Sequence, residues 1–102
     1  MDEIDNREHS RFSFPSGSWV KIVLKGQSAN DFKMFELIDI SQSGISFKSH
    51  VSHEFKRGVE FYVMEIGGKI IKEALLARVR YVRPVNELKI ELKVGAEFIE
   101  RL

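Results

Sequence analysis

Cysteine is absent from the 102 residues of this chain, and long apolar runs are absent as well. The lack of cysteine excludes disulfide bonds and thiolate metal sites, and it suits a reducing compartment. No apolar run approaches the roughly 18 residues of a membrane-spanning helix. Residues 1–16 also lack the apolar block of a signal peptide. We therefore expect a cytoplasmic protein without a membrane segment.

Neither charge is in large excess, since the chain has 16 basic and 15 acidic residues and a formal net charge of +1. Domains that bind nucleic-acid backbones are usually strongly basic, so we expect no nucleic-acid partner. No segment has a convincing helical period. Hydrophobic residues make up 43% of the chain, and the aromatic residues among them make up 11% of the chain. That is enough for one domain with a single core.

Apolar and polar residues alternate with a period of two over most of the chain, which predicts strands. The Gly67-Gly68 pair predicts a two-residue hairpin turn between two of them. In the longest segment, the alternation places Val79 and Tyr81 on one face and Arg78 and Arg80 on the other. Strands joined in series by short turns predict an all-β fold, a small antiparallel barrel whose closure hides the sheet edges. The segments concerned are residues 19–25, 35–41, 45–48, 59–66, 69–83 and 88–98.

The first 18 residues are predicted to form a flexible arm, and residues 19–102 the barrel. The arm is polar and too poor in apolar groups to order itself. It carries Arg7 and Arg11, spaced four apart. Guanidinium groups bind phosphate bidentately and stack on planar rings, so this pair suits a nucleotide. The alternative is a set of helical ion pairs with Glu3, which would contribute little.

A second polar cluster, Asp39-Ile-Ser41-Gln-Ser-Gly44, lies between two predicted strands. Residues two apart in a strand share a face, so Asp39 and Ser41 project together. Gly44 either takes a positive φ at the turn or lets a ligand or backbone approach closely. The alternative is an ordinary turn, since Asp, Ser and Gly all favour turns through local hydrogen bonds.

Two further groups of residues invite other functions. His50, His53 and Glu54 lack additional ligands of suitable type nearby, so we predict a solvated loop and no metal site. Arg78 and Arg80, with Arg83 nearby, form a basic stripe. A solvated strand face explains the stripe by default, and a barrel that binds single-stranded nucleic acid is the alternative.

The motif Arg7-Glu-His-Ser-Arg11, followed after 27 residues by Asp39-Ile-Ser41-Gln-Ser-Gly44, resembles the two-part signature of PilZ domains, RxxxR and [D/N]xSxxG. Phe12 directly follows the second arginine, and this position also resembles the family's pattern. The segment Val94-Gly95-Ala96-Glu97-Phe98 resembles the family's closing strand. The resemblance therefore covers nearly the whole chain.

This resemblance implies a six-stranded barrel whose exposed face binds cyclic di-GMP, with no other cofactor. Arg7 and Arg11 would contact the phosphates and stack on guanine. Asp39 and Ser41 would hydrogen-bond the guanine and nearby ligand groups, while Gly44 would keep the turn tight. Ligand binding would change the arm or the surface and so regulate a protein partner or an attached effector domain.

Besides the barrel that binds single-stranded nucleic acid, two further alternatives stay open. A PilZ-like barrel can serve as a protein-docking module without ligand. An enzyme is the other alternative, because Asp39, Ser41 and His9 contain the atoms of a catalytic triad. No nucleophile elbow or oxyanion-hole pattern accompanies them, so we expect no catalysis.

Overall fold

The computed structural model describes residues 11–13, 17–50, 55–85 and 90–101. Over this part of the chain it contains seven strands and one 3₁₀ turn at Ala29–Asp31. The strands are β1 (Arg11–Ser13), β2 (Trp19–Leu24), β3 (Lys33–Ser41), β4 (Gly44–His50), β5 (Glu60–Ile66), β6 (Lys69–Pro84) and β7 (Glu91–Arg101). No described segment forms a helix long and apolar enough to cross a membrane.

Six of these strands close into an antiparallel barrel in the order β3-β2-β5-β6-β7-β4, and β4 pairs back onto β3. The predicted all-β, six-stranded barrel is confirmed. The turn between β5 and β6 is also confirmed, since Gly67 and Gly68 have φ values of +59° and +85°. A two-residue hairpin turn of type I′ requires positive φ values at both of its central residues.

β1 is a strand that the alternation did not predict, because it lies within residues 1–18. It pairs antiparallel with the end of β3, where Arg11 faces Ser41 and Ser13 faces Asp39. β4 occupies the opposite edge of this part of β3. β1 and β2 therefore pair with the same edge of β3, β2 near the start of β3 and β1 near its end. The mobility of the arm stays a prediction, and Arg7 lies outside the described residues.

The core centres on four phenylalanines, whose neighbouring ring centroids are 5.1–5.8 Å apart. Edge-to-face contacts at such distances stabilise aromatic clusters beyond the area that they bury. Phe55 is one of the four and only 6% exposed, although it follows β4 in the connection to β5. Phe55 directly follows His53 and Glu54, where a solvated loop was predicted, yet its side chain lies in the core. The four rings are Phe35, Phe47, Phe55 and Phe61.

A bulge in β3 turns the Asp39 side of the strand outward. Leu37 pairs with Phe47 and Asp39 with Ser46, so Ile38 is an extra residue opposite β4. An extra residue shifts the alternation by one position. Leu37 is buried, and Ile40 packs against the core. Asp39 and Ser41 therefore lie on the outer face.

A second bulge does the same in β6. Val79 pairs with Ala96 and Tyr81 with Gly95, which leaves Arg80 as the extra residue. Val79 is buried, and Val82 packs against the core. The prediction that Tyr81 shares the inner face with Val79 is therefore wrong. Tyr81 and Arg80 both lie outside the barrel.

Candidate functional site

The turn between β3 and β4 is held by its own serines and by the end of β7. The hydroxyl of Ser41 accepts a hydrogen bond from the Ser43 amide at 3.2 Å and lies 3.1 Å from the Ser43 hydroxyl. The amide of Phe98 donates to the Ser43 carbonyl at 2.9 Å. The two-residue loop Gln42–Ser43 is thus fixed against β7.

Gly44 is needed at this turn because of a close approach and not because of its φ, which is outside the left-handed region. Gly44 pairs with Glu97. A Cβ atom on Gly44 would collide with the backbone carbonyl oxygen of Ala96. Of the two roles predicted for Gly44, the close approach is the one that the structure contains.

Asp39 is positioned by a serine on the neighbouring strand. The hydroxyl of Ser46 donates to Oδ1 of Asp39 at 2.7 Å. Ser46 is only 3% exposed although it points away from the core. A short hydrogen bond from a buried hydroxyl restricts the carboxylate's rotation, because charge-assisted bonds are stronger than neutral ones. Asp39 is therefore held at a defined position on the outer face.

Strand pairing brings Arg11, the second arginine of the first motif, beside the second motif. Arg11 on β1 lies opposite Ser41 on β3, and the next outward position pairs Ser13 with Asp39. From Asp39 the same row continues through Ser46 and Gly95 to Tyr81. One continuous row thus crosses five strands from β1 to β6.

Along the part of this row formed by Ser46, Gly95 and Tyr81 runs an open groove of about 350 Å³. Sites for small molecules commonly enclose roughly 300–1,000 Å³. Small residues form its floor, because Gly44 and Gly95 have no side chain to fill it. Its lining includes Ser41, Ser43, Ser46, Arg80, Tyr81 and Glu97.

Tyr81 supplies an aromatic surface to the groove. Its ring occupies the space that a side chain on Gly95 would take. The guanidinium carbon of Arg83 lies 4.3 Å from the ring centroid. Rings and guanidinium planes of this kind are the surfaces on which nucleobases stack.

The remaining arginines of β6 are individually paired with carboxylates. Nη1 of Arg80 lies 3.0 Å from Oε2 of Glu97. Arg78 donates twice to Oε2 of Glu60, at 2.8 and 3.0 Å. Hydrogen bonds from Arg78 and then Lys25 hold the pKa of Glu60 below its ordinary value. The predicted basic stripe is therefore largely neutralised along this strand.

No group of three or more His, Asp or Glu side chains suited to a metal ion occurs among the described residues. His50 is exposed at the end of β4. His53 and Glu54 lie outside the described residues.

Sequence reasoning missed the contributions of Ser46, Arg80 and Tyr81. One signal for the last two was available, because Val79 and Val82 are apolar residues three apart in a strand. Strict alternation would put one of them in solvent, and a bulge between them avoids this. Ser46 gave no local signal, since its role depends on the pairing of β3 with β4.

The family model of the PilZ domain matches residues 5–102 of the chain. The chain therefore belongs to the PilZ family, as its motifs indicated.

Two solved structures have the same fold. The Bacillus subtilis inhibitor of motility MotI/DgrA superposes with a TM-score of 0.63 at 15% identity, over 97% of this chain and 44% of that one. The PilZ domain of Escherichia coli YcgR, solved with c-di-GMP, gives a TM-score of 0.59 at 14% identity, over 94% of this chain and 79% of that one. The chain thus spans less than half the length of MotI/DgrA. No curated protein matches the sequence significantly.

Proposed function

We propose that this chain is a cyclic di-GMP receptor module of the PilZ family, without catalysis of its own. The observation that carries the proposal is the pairing of β1 with β3, which puts Arg11 opposite Ser41 and next to the Asp39 position. Ser41 and Gly44 of the second motif line the groove, and Arg11 of the first motif pairs with Ser41. The solved PilZ domain of YcgR with c-di-GMP supports the choice of ligand.

The chemistry of the groove fits a guanine dinucleotide. A carboxylate accepts hydrogen bonds from the N1–H and the exocyclic amine of guanine, and Asp39 is held in place by Ser46. Guanidinium groups of Arg7 and Arg11 would supply charge-assisted bonds to the two phosphates. Tyr81 offers a flat ring for a base beside them. Each part of the ligand thus has a complementary group.

The proposed output is a change of the arm. A ligand that binds one arrangement of residues 1–18 better than others shifts the population towards it. The pairing of β1 with β3 fixes the backbone of Arg11 opposite Ser41, so the proposed change concerns the residues that carry Arg7. The arm so ordered would present a new surface to a protein partner or an attached domain, and we place this event in the cytoplasm.

A protein-docking module is the second candidate, and one observation favours it. Three large apolar side chains, Trp19, Phe32 and Met34, are each 44–46% exposed on or beside β2 and β3. A partner bound there would be indifferent to Arg7 and Arg11. The nucleic-acid alternative has less support, because Glu97 and Glu60 pair with Arg80 and Arg78.

Calorimetric titration with cyclic di-GMP, together with thermal melting, tests the proposal. We expect saturable binding and a rise in stability of about 2.7 kcal/mol at a free ligand concentration of ~100 times Kd. GTP and a linear guanine dinucleotide serve as controls and should bind more weakly. No heat of binding and no shift in Tm at saturating ligand would overturn the receptor proposal.

A further inference from the structure

We infer that Arg80 is a third cationic contact for the ligand's phosphates, held by Glu97 in competition with them. The inference rests on the proposed function and deepens it. The ion pair between Arg80 and Glu97 belongs to neither sequence motif. This ion pair determines how strongly the groove attracts an anion.

The bulge in β6 puts Arg80 and Tyr81 side by side on the outer face of the barrel. Arg80 is the extra residue between Val79 and Tyr81, and strict alternation would have placed Tyr81 inside. Its guanidinium lies on the side of the groove formed by β6 and β7. On the β3 side the groove is lined by Ser41, the residue with which Arg11 of β1 pairs. An arginine on β6 and another on β1 suit a ligand that carries two phosphates.

Glu97 is the acidic residue of the groove lining, and it reaches Arg80 from β7. Glu97 pairs through its backbone with Gly44, the floor residue of the turn. Its carboxylate therefore lies beside the space that an anionic ligand would enter. Such a carboxylate repels the ligand, and it also occupies the cation that would attract it.

The Arg80–Glu97 pair is easily exchanged. Its side chains are 55% and 37% exposed, and their nearest nitrogen and oxygen atoms are 3.0 Å apart. Exposed ion pairs contribute little to stability because water solvates both partners. A phosphate that also bonds to the groove's other donors can therefore take Arg80 from Glu97 at low cost. Glu97 therefore lowers the affinity for the ligand, because a phosphate must displace its carboxylate from Arg80.

The test is a double-mutant cycle with cyclic di-GMP as the probe, using Arg80→Gln, Glu97→Gln and the double variant. Two matched controls remove the same charges outside the groove lining. Arg78→Gln lies two residues away on β6, and Glu65→Gln breaks the pair with Lys21 on β2. Melting curves check that each variant folds, and Kd is measured at two salt concentrations.

We expect Glu97→Gln to tighten binding about three- to tenfold and Arg80→Gln to weaken it by a similar factor. In the Arg80→Gln background, the gain from Glu97→Gln should shrink to less than about twofold, because the released cation is gone. Arg80→Gln should also reduce the salt dependence of Kd. The control variants should change Kd by less than about twofold.

Three outcomes would overturn the inference. If Arg80→Gln and Glu97→Gln bind as the controls do, while Arg11→Ala loses affinity, the receptor function stands and the inference fails. If the full gain from Glu97→Gln persists without Arg80, Glu97 acts by direct repulsion and Arg80 has no role. If the unmutated chain does not bind the dinucleotide, the proposed function fails, and this inference fails with it.

Discussion

Replacing Arg11 by alanine should weaken the binding of cyclic di-GMP by about 10- to 100-fold. The reason is the loss of charge-assisted hydrogen bonds to phosphate, each of which contributes roughly 1.5–3 kcal/mol. Arg11 joins β1 to β3 opposite Ser41 through its main chain. Truncating its side chain therefore leaves that backbone pairing intact, and the loss should appear in affinity and not in folding.

Calorimetric titration of Arg11→Ala and Arg7→Ala measures this effect, with Arg78→Ala as the matched control. Arg78 pairs with Glu60 and does not line the groove. Arg11→Lys should fall between alanine and the unmutated chain, because lysine keeps the charge but lacks the planar fork. Equal affinities for Arg11→Ala and Arg78→Ala would remove Arg11 from the site.

The second large effect concerns stability, and we expect Gly44→Ala to lower the free energy of unfolding by about 2–4 kcal/mol. The added methyl group would collide with the carbonyl oxygen of Ala96, which is backbone and cannot rotate away. The turn must then separate from β7, and the Phe98–Ser43 hydrogen bond of 2.9 Å is strained or lost. Tm should fall by about 8–32 °C, since 1 kcal/mol corresponds to roughly 4–8 °C in a domain of this size.

Two other glycines serve as controls for this prediction. A Cβ atom on Gly95 would meet the ring of Tyr81, a side chain that can turn aside, so Gly95→Ala should destabilise less and disturb the groove more. Gly68 has a φ of +85° and nothing within 4 Å of an added Cβ atom. Gly68→Ala should therefore cost only about 1 kcal/mol of backbone strain. Thermal melts in which Gly44→Ala is no less stable than Gly68→Ala would contradict the close-approach explanation.

The strands could be predicted from the sequence because most of them have one face in the core. In β2, Val20 and Ile22 are buried and Lys21 between them is not, as the alternation indicated. The prediction failed where one extra residue shifts the pattern. Val79 and Tyr81 are two apart, yet Arg80 is a bulge between them, so Tyr81 lies outside. The alternation within one strand carries no information on how that strand pairs with its neighbour, and the pairing is what produces a bulge.

The candidate site was predicted in the same partial way. Asp39, Ser41 and Gly44 are close in sequence, so their type and spacing identified them as a cluster. Ser46 and Glu97 join them only through the register of β4 with β3 and β7. Phe55 was missed because a single apolar residue in a polar connection has no period to reveal it. Long-range pairing, and not residue type, decides these positions.

The most direct test of the central claim is an NMR titration that follows backbone amide shifts as cyclic di-GMP is added. We predict the largest changes along the groove, at Ser41, Gly44, Gly95 and Glu97. Val23, Tyr62 and Met64 lie on β2 and β5, opposite β7 and β4 in the barrel order, and their amides should stay in place. Shifts concentrated on that opposite face, with the groove amides unchanged, would contradict the claim that both motifs form one ligand site.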